Sequence, residues 1–274
     1  MSDSEFRDQS HATGQPQDAV PASFRYVPES IDARDDVALD RIRQRVAWNM
    51  KRKSIREMEV KVVSAFSAFD QNSYEMGIMR QAAQLICAIS FEFEKSSSLA
   101  SWIFGSPPIG LPEVRAGTTQ NWLDDWFTLT DKKGLFERSL RFNPLLEARN
   151  SDLLFRGPCL LAPVMRKIHE TAKNSALPTV AFIALDGLPC DEDEIADMIL
   201  MTSGEPIIWI FIGVEWENDK YGYYGILEDL IDTKRGRELN ACLFKSSGSV
   251  PQRRLARRIV TAISRRSALL MPGH

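Results

Sequence analysis

The sequence predicts an α/β fold: a doubly wound, mostly parallel central sheet with helices on both faces. Two observations carry that prediction. From residue 60 onward, apolar runs of strand length alternate with longer stretches of helical periodicity, and several of the runs, "VAFIAL" and "PIIWIFIGV" among them, are apolar at consecutive positions. A strand of that kind is buried on both faces, as happens where crossover helices cover both sides of a parallel sheet. The 274 residues, 44% of them hydrophobic, suffice for one large domain or two small ones.

Taken in order, residues 1–34 are rich in Asp, Ser, Gln and Pro and poor in large aliphatics. They are expected to be a flexible tail, because they bury too little to offset the ordering of their backbone. Residues 35–59 are expected to form a basic amphipathic helix: Leu39, Ile42, Val46 and Met50 recur at helical spacing among Arg41, Arg43, Arg45, Lys51, Arg52, Lys53 and Arg56. Residues 60–274 are expected to be the domain proper. "VKVVSAF" reads as a buried strand, "SYEMGIMRQAAQLICAISFEFEK" as one helix and "SLASWIFG" as a second strand. Residues 106–156, with Pro107, Pro108, Pro112 and Pro144, read as an irregular insertion holding one or two short helices. Trp122, Trp126 and Phe127 are spaced there for one face of such a helix, which fits packing in the core. "CLLAPVMRKIHETAKN" is then helical, "LPTVAFIAL" a strand, "DEDEIADMILMTSG" a helix stopped by Gly204, and "EPIIWIFIGVEW" a strand. A helix over "YYGILEDLID", a strand over "ELNACLF" and a helix over "PQRRLARRIVTAISRR" close the chain.

Composition narrows the function. A formal net charge of −3 argues against a protein dominated by nucleic-acid contacts, although the basic helices leave that alternative open. Cys87, Cys159, Cys190 and Cys242 form no C-x-x-C pair and predict neither a zinc cluster nor a redox motif. Reduced thiols, an N-terminus without an apolar leader core and no apolar run near the roughly 20 residues that span a bilayer predict a cytoplasmic protein with no membrane partner. Catalytic material is sparse. Cys159 and His169, ten residues apart along one predicted helix, would lie about 15 Å from each other. "SSGS" at 246–249 lacks the Lys and spacing of a phosphate loop.

In a sheet of this class, sites lie at the carboxyl ends of the strands, where Asp186 is expected. The acids after it, Asp191 to Glu194, have the spacing of a capping box followed by a negatively charged first turn, so most of the cluster reads as helix-start chemistry.

The stretches "PTVAFIALDGLP", "EPIIWIFIGV" and "YGILEDLIDTKRGRELNACLF", in that order and spacing, resemble the TerF-like branch of von Willebrand factor type A domains, which is associated with bacterial tellurium-resistance and stress-response systems. The resemblance implies a metal-ion-dependent adhesion site: an Asp-x-Ser-x-Ser turn after the first strand, a Thr from a second loop and an Asp from a third, together holding Mg²⁺ through hard oxygens. Laid onto this chain, the motif puts Ala65 at the leading Asp, Ser67 at the first Ser, Phe69 at the second, Cys159 at the Thr and Asp186 at the last Asp. Only Ser67 and Asp186 keep ligand chemistry, and no Asp-x-Ser-x-Ser occurs anywhere in the chain.

The expectation is therefore a non-enzymatic scaffold or adaptor with no catalytic residues and no resident metal. It would bind another protein in a bacterial stress-response or defence assembly, through a rim at Ala65, Ser67, Phe69, Cys159, Asp186 and the loop after Val214. Trp216, Tyr221, Tyr223 and Tyr224 would line that loop. Arg253, Arg254, Arg257 and Arg258 offer a second surface for an acidic partner or polyanion. Two alternatives stand beside it: an Mg²⁺-dependent adhesion module whose ligands are relocated to Asp70, Asp191 or Asp193, and a metal-assisted phosphohydrolase built on Asp186.

Overall fold

A computed structural model describes residues 33–52, 60–94, 98–105, 108–127, 155, 157–215, 225–232, 239–247 and 252–270. The elements are α1 (Ala33–Arg52), β1 (Lys61–Ser67), α2 (Gln71–Glu75), α3 (Ile78–Phe93), β2 (Ser98–Phe104), β3 (Ile109–Arg115) and α4 (Thr119–Phe127). They continue with α5 (Ala162–Lys173), β4 (Thr179–Leu185), α6 (Glu192–Met201), β5 (Ile207–Glu215), α7 (Gly225–Asp232), β6 (Ala241–Ser247) and α8 (Gln252–Leu270).

The six strands make one sheet in the order β3-β2-β1-β4-β5-β6. Every pairing is parallel except that of β2 with β3. This is the doubly wound architecture that the continuous apolar runs predict. Side chains alternate between the two faces. Val62, Phe66, Phe182, Ile210 and Phe244 pack under α1, α3, α4 and α8, while Val63, Ala65, Ile183, Trp209 and Phe211 pack under α5, α6 and α7. Two of the polar pairs drawn into these layers satisfy each other: Ser64 bonds Ser101 across β1 and β2 at 2.8 Å, and the Trp209 indole donates to Thr202 at 2.9 Å.

The structure departs from the sequence reading in two places. The expected single helix over 73–95 is two helices, because Gly77 adopts φ 71, a left-handed conformation that breaks the helical path between α2 and α3. Residues 109–115 are a strand rather than irregular chain: β3 is an edge strand, where Pro112 is tolerated because one side of the ladder is unpaired. Residues 128–154 of the expected insertion lie outside the described residues. The basic helix starts at Ala33 and buries Leu39, Ile42 and Val46 against the same core as α3 and α8, so it is a layer of the domain. Trp122 and Phe127 of α4 pack with Phe66 and Tyr74 at ring separations of 4.6 to 6.2 Å, the core role expected of them.

Candidate functional site

β1 and β4 run side by side with Phe66 opposite Ala184, which brings Asp186, the first residue past β4, against the turn that follows β1. The two carboxylate oxygens of Asp186 accept from the backbone amides of Phe69 (3.2 Å) and Asp70 (3.1 Å). Burial pushes this carboxyl up to about 6 from an ordinary 3.8; the Ser67 hydroxyl and the two amides pull it back, and the neighbouring Asp70 charge adds to the rise. The Asp70 carboxylate is itself engaged, accepting from the Asn72 amide at 2.9 Å as the cap of α2.

Above this latch lies an apolar edge. The Phe69 ring is half exposed and lies over the α-carbon of Gly187, so closely that any Cβ at 187 would overlap it. Leu188, next in the chain, is also exposed. Ser67 and Cys159 sit beneath, both buried, with Oγ and Sγ 3.4 Å apart. Burial pushes the Cys159 thiol up to about 12, which makes it a poor nucleophile at neutral pH. Ala65 is fully buried within β1, two residues before the strand ends at Ser67. Ala65 therefore belongs to the core rather than to the rim. Of the five expected rim residues, Phe69 and Asp186 reach solvent, and Ser67 and Cys159 support them from below.

The acids from 191 to 194 do structural work, but not through the expected capping box. Asp191 stands at the N-cap of α6 and makes no side-chain bond to its own helix. Its carboxylate instead accepts from the Leu161 and Ala162 amides (3.0 and 2.7 Å), the orphan donors that open α5. Glu192 accepts from the Ile226 amide at 2.8 Å in the first turn of α7, whose leading residue, Gly225, has φ 50 and leaves no room for a Cβ beside that carboxylate. Glu194 pairs with Arg166 at the surface, 3.0 Å apart. Adjacent acids of one helix thus cap the helices on either side of it. The sequence holds no local signal for this, because the caps act across chain separations of about thirty residues.

The Mg²⁺ that the resemblance implies needs a near-octahedral shell of oxygen donors. Asp186 accepts one amide on each oxygen and keeps a lone pair on each, but it lacks companions: Asp70 and Asp191 serve as caps, Phe69 brings a ring where an oxygen is required, and Ser67 is buried under it. An octahedral oxygen shell does not fit here. Among the described residues no group of three His, Cys, Asp or Glu side chains converges elsewhere. His169, the buried histidine of α5, pairs with Glu205 and not with Cys159. Trp216, Tyr221, Tyr223 and Tyr224 lie outside the described residues. The second expected surface divides: Arg254, Arg257 and Arg258 share one groove of α8, whereas Arg253 turns toward Arg45 and Ile42 of α1. No described helix is long and apolar enough to cross a membrane.

Solved structures with which the chain shares a likeness include the ArnB paralog VWA2 from Sulfolobus acidocaldarius, at 14% identity over 57% of this chain and 35% of that one, with a TM-score of 0.34. Manganese-loaded Plasmodium vivax TRAP protein gives 10% identity, 57% of each chain and a TM-score of 0.36. The human COPII-coat protein Sec24c gives 8% identity, 78% of this chain, 32% of that one and a TM-score of 0.37. The chain spans between about a third and somewhat over half of these proteins' lengths. No curated protein matches it. A family model described as "vWA-TerF-like: vWA found in TerF C terminus" matches residues 57–263, the whole run from β1 into α8. On that match, which takes in the Asp186 latch and the sheet that builds it, the chain belongs to the vWA-TerF-like family.

Proposed function

We propose that this protein is a non-enzymatic scaffold or adaptor that binds another protein at the carboxyl edge of its sheet without a metal ion. The observation that carries the reading is the Asp186 turn: its carboxylate is tied to two backbone amides, and the Phe69 ring, rather than further oxygen donors, lies over Gly187 beside it. Membership of a vWA family, whose domains commonly mediate protein interactions, supports an output of binding rather than chemistry. A half-exposed aromatic on a fixed turn is an anchor of the type that dominates interface energetics. The working context in this proposal is a cytoplasmic stress-response or defence assembly of the tellurium-resistance type in a bacterium.

Co-purification from the stressed host, comparing the native chain with Phe69→Asp in the presence and absence of chelator, tests this reading. The expected result is a specific partner that survives chelation and is lost with Phe69→Asp. Calorimetric titration of the chelator-stripped protein with Mg²⁺ and Mn²⁺ supplies the opposing outcome. Sub-millimolar binding abolished by Asp186→Ala would replace this proposal with metal-dependent adhesion.

A further inference from the structure

Arginines are concentrated along α8, and the structure shows what they surround. Arg254, Arg257, Arg258 and Arg265 border a groove of about 500 Å³ beside β6, with Phe244 and Ala262 as its apolar part. Arg258 stands over the Phe244 ring, 5.4 Å from its centroid. Among the described residues no carboxylate pairs with these four guanidinium groups. Like charges three and four residues apart on one helix repel, so the arrangement costs stability unless a counter-charge arrives from outside. In a chain of net charge −3 such basic clustering is a local feature of α1 and α8.

A fifth arginine in the groove has other work. β6 is an edge strand, and its pairing with β5, in which the Trp209 amide donates to the Asn240 carbonyl, turns the Ala241 carbonyl outward. Arg266 donates to that carbonyl at 3.1 Å and to the Leu239 carbonyl at 3.4 Å, covering the start of the open edge. An incoming strand is therefore blocked there, and the ligand must be read by the remaining guanidinium groups.

We infer that this groove is a docking site for an acidic, extended peptide segment of a partner protein, one that sets an apolar side chain against Phe244 and Ala262 between carboxylates held by Arg254, Arg257, Arg258 and Arg265. Planar guanidinium forks bind carboxylates bidentately, and their aliphatic stems wall an apolar slot. From Arg254 to Arg265 the helix rises about 16 Å, the span of about five extended residues. Nucleic acid fits less well. The aromatic of the groove, Phe244, is buried with a guanidinium over it, so a base has no open ring face to stack on, whereas an aliphatic side chain can rest on the lining that Phe244 and Ala262 present to the groove.

Fluorescence anisotropy on the full chain tests this, with a labelled peptide of about ten residues, glutamates around a central leucine, as the probe. A glutamine counterpart, a thymidine strand of equal length and inorganic phosphate serve as comparisons. The expected result is binding of the glutamate peptide alone, weakened by about tenfold or more in Arg254→Gln/Arg258→Gln and again in Arg257→Gln/Arg265→Gln, and unchanged in Arg41→Gln on α1. All of these side chains are exposed, and a thermal midpoint no lower than that of the native chain confirms the fold of each variant. No binding of the glutamate peptide, tighter binding of the thymidine strand, competition by phosphate at equal concentration, or an equal loss in Arg41→Gln would overturn it.

Discussion

The ring of Phe69 rests directly on the α-carbon of Gly187, so the exposed edge of the site depends on the absence of a side chain one residue past Asp186. Gly187→Ala forces the ring off its seat, and because Phe69 is half exposed it can swing outward at limited cost. The expected destabilisation is about 1 kcal/mol, at the low end for overpacking, while partner capture falls as far as in Phe69→Asp. In a double-mutant cycle with Phe69→Ala the stability cost should vanish, giving a coupling of similar size. Additive urea midpoints would refute the contact.

The Asp186 carboxyl, held at about 6 in the fold against an ordinary 3.8, makes a signed pH prediction. The folded chain binds this proton more tightly than the unfolded chain does, so protonation favours folding. The contribution of Asp186 to stability is therefore largest below about pH 4, falls as pH rises through about 6, and stays low above it. Asp186→Asn removes that dependence. The stability difference between native chain and variant, followed by urea unfolding from pH 4 to pH 8, should shift toward the native chain on acidification. A flat difference would mean that Asp186 titrates as an ordinary carboxyl.

The caps supplied by Asp191 and Glu192 predict stability losses without loss of the apolar edge. Asp191→Ala orphans the Leu161 and Ala162 amides and should cost about 1–2 kcal/mol, the range for deleting a helix cap. Glu192→Ala frees the Ile226 amide, which is more exposed, and should cost less, about 0.5–1 kcal/mol. Both should lower the urea midpoint at an unchanged slope. Glu194→Ala breaks a surface ion pair and should shift the midpoint hardly at all.

These caps also mark where the sequence ceased to be readable. The strands could be read because each carries its signal in its own residues: residues 180–185 and 207–212 are apolar at every position, and both strands have sheet neighbours on either side. β3 was missed because an edge strand, buried only at Leu111 and Val114 and holding Pro112, lacks that pattern. At the site, the place of Asp186 followed from its position after β4, but its partners did not. The Phe69 and Asp70 amides lie more than a hundred residues away in the chain and meet it through strand register, a tertiary fact. Ala65 was placed on the rim by the family's motif, although the strand reading "VKVVSAF" already put it inside β1, where it is buried.

Thiol chemistry gives the last test, because the four cysteines sit in unlike places. Cys190 is exposed on the loop between β4 and α6, while Cys87, Cys159 and Cys242 are buried. Burial pushes Cys159 up to about 12 and Cys242 up to about 11, and raises Cys87 as well, so little reactive thiolate forms at these positions. In the folded protein at pH 8, a disulfide reagent should therefore modify one thiol quickly, and Cys190→Ser should abolish that phase; in denaturant all four should react. Because Cys159 lies against Ser67 beneath the Asp186 turn, its protection reports on whether the latch is closed. Asp186→Ala should open the turn and speed Cys159 modification, with the Cys87 and Cys242 rates left as they were. Fast modification of Cys159 in the native chain would show instead that reagent reaches the floor of the site freely, and the closed edge on which metal-free binding depends would have to be abandoned.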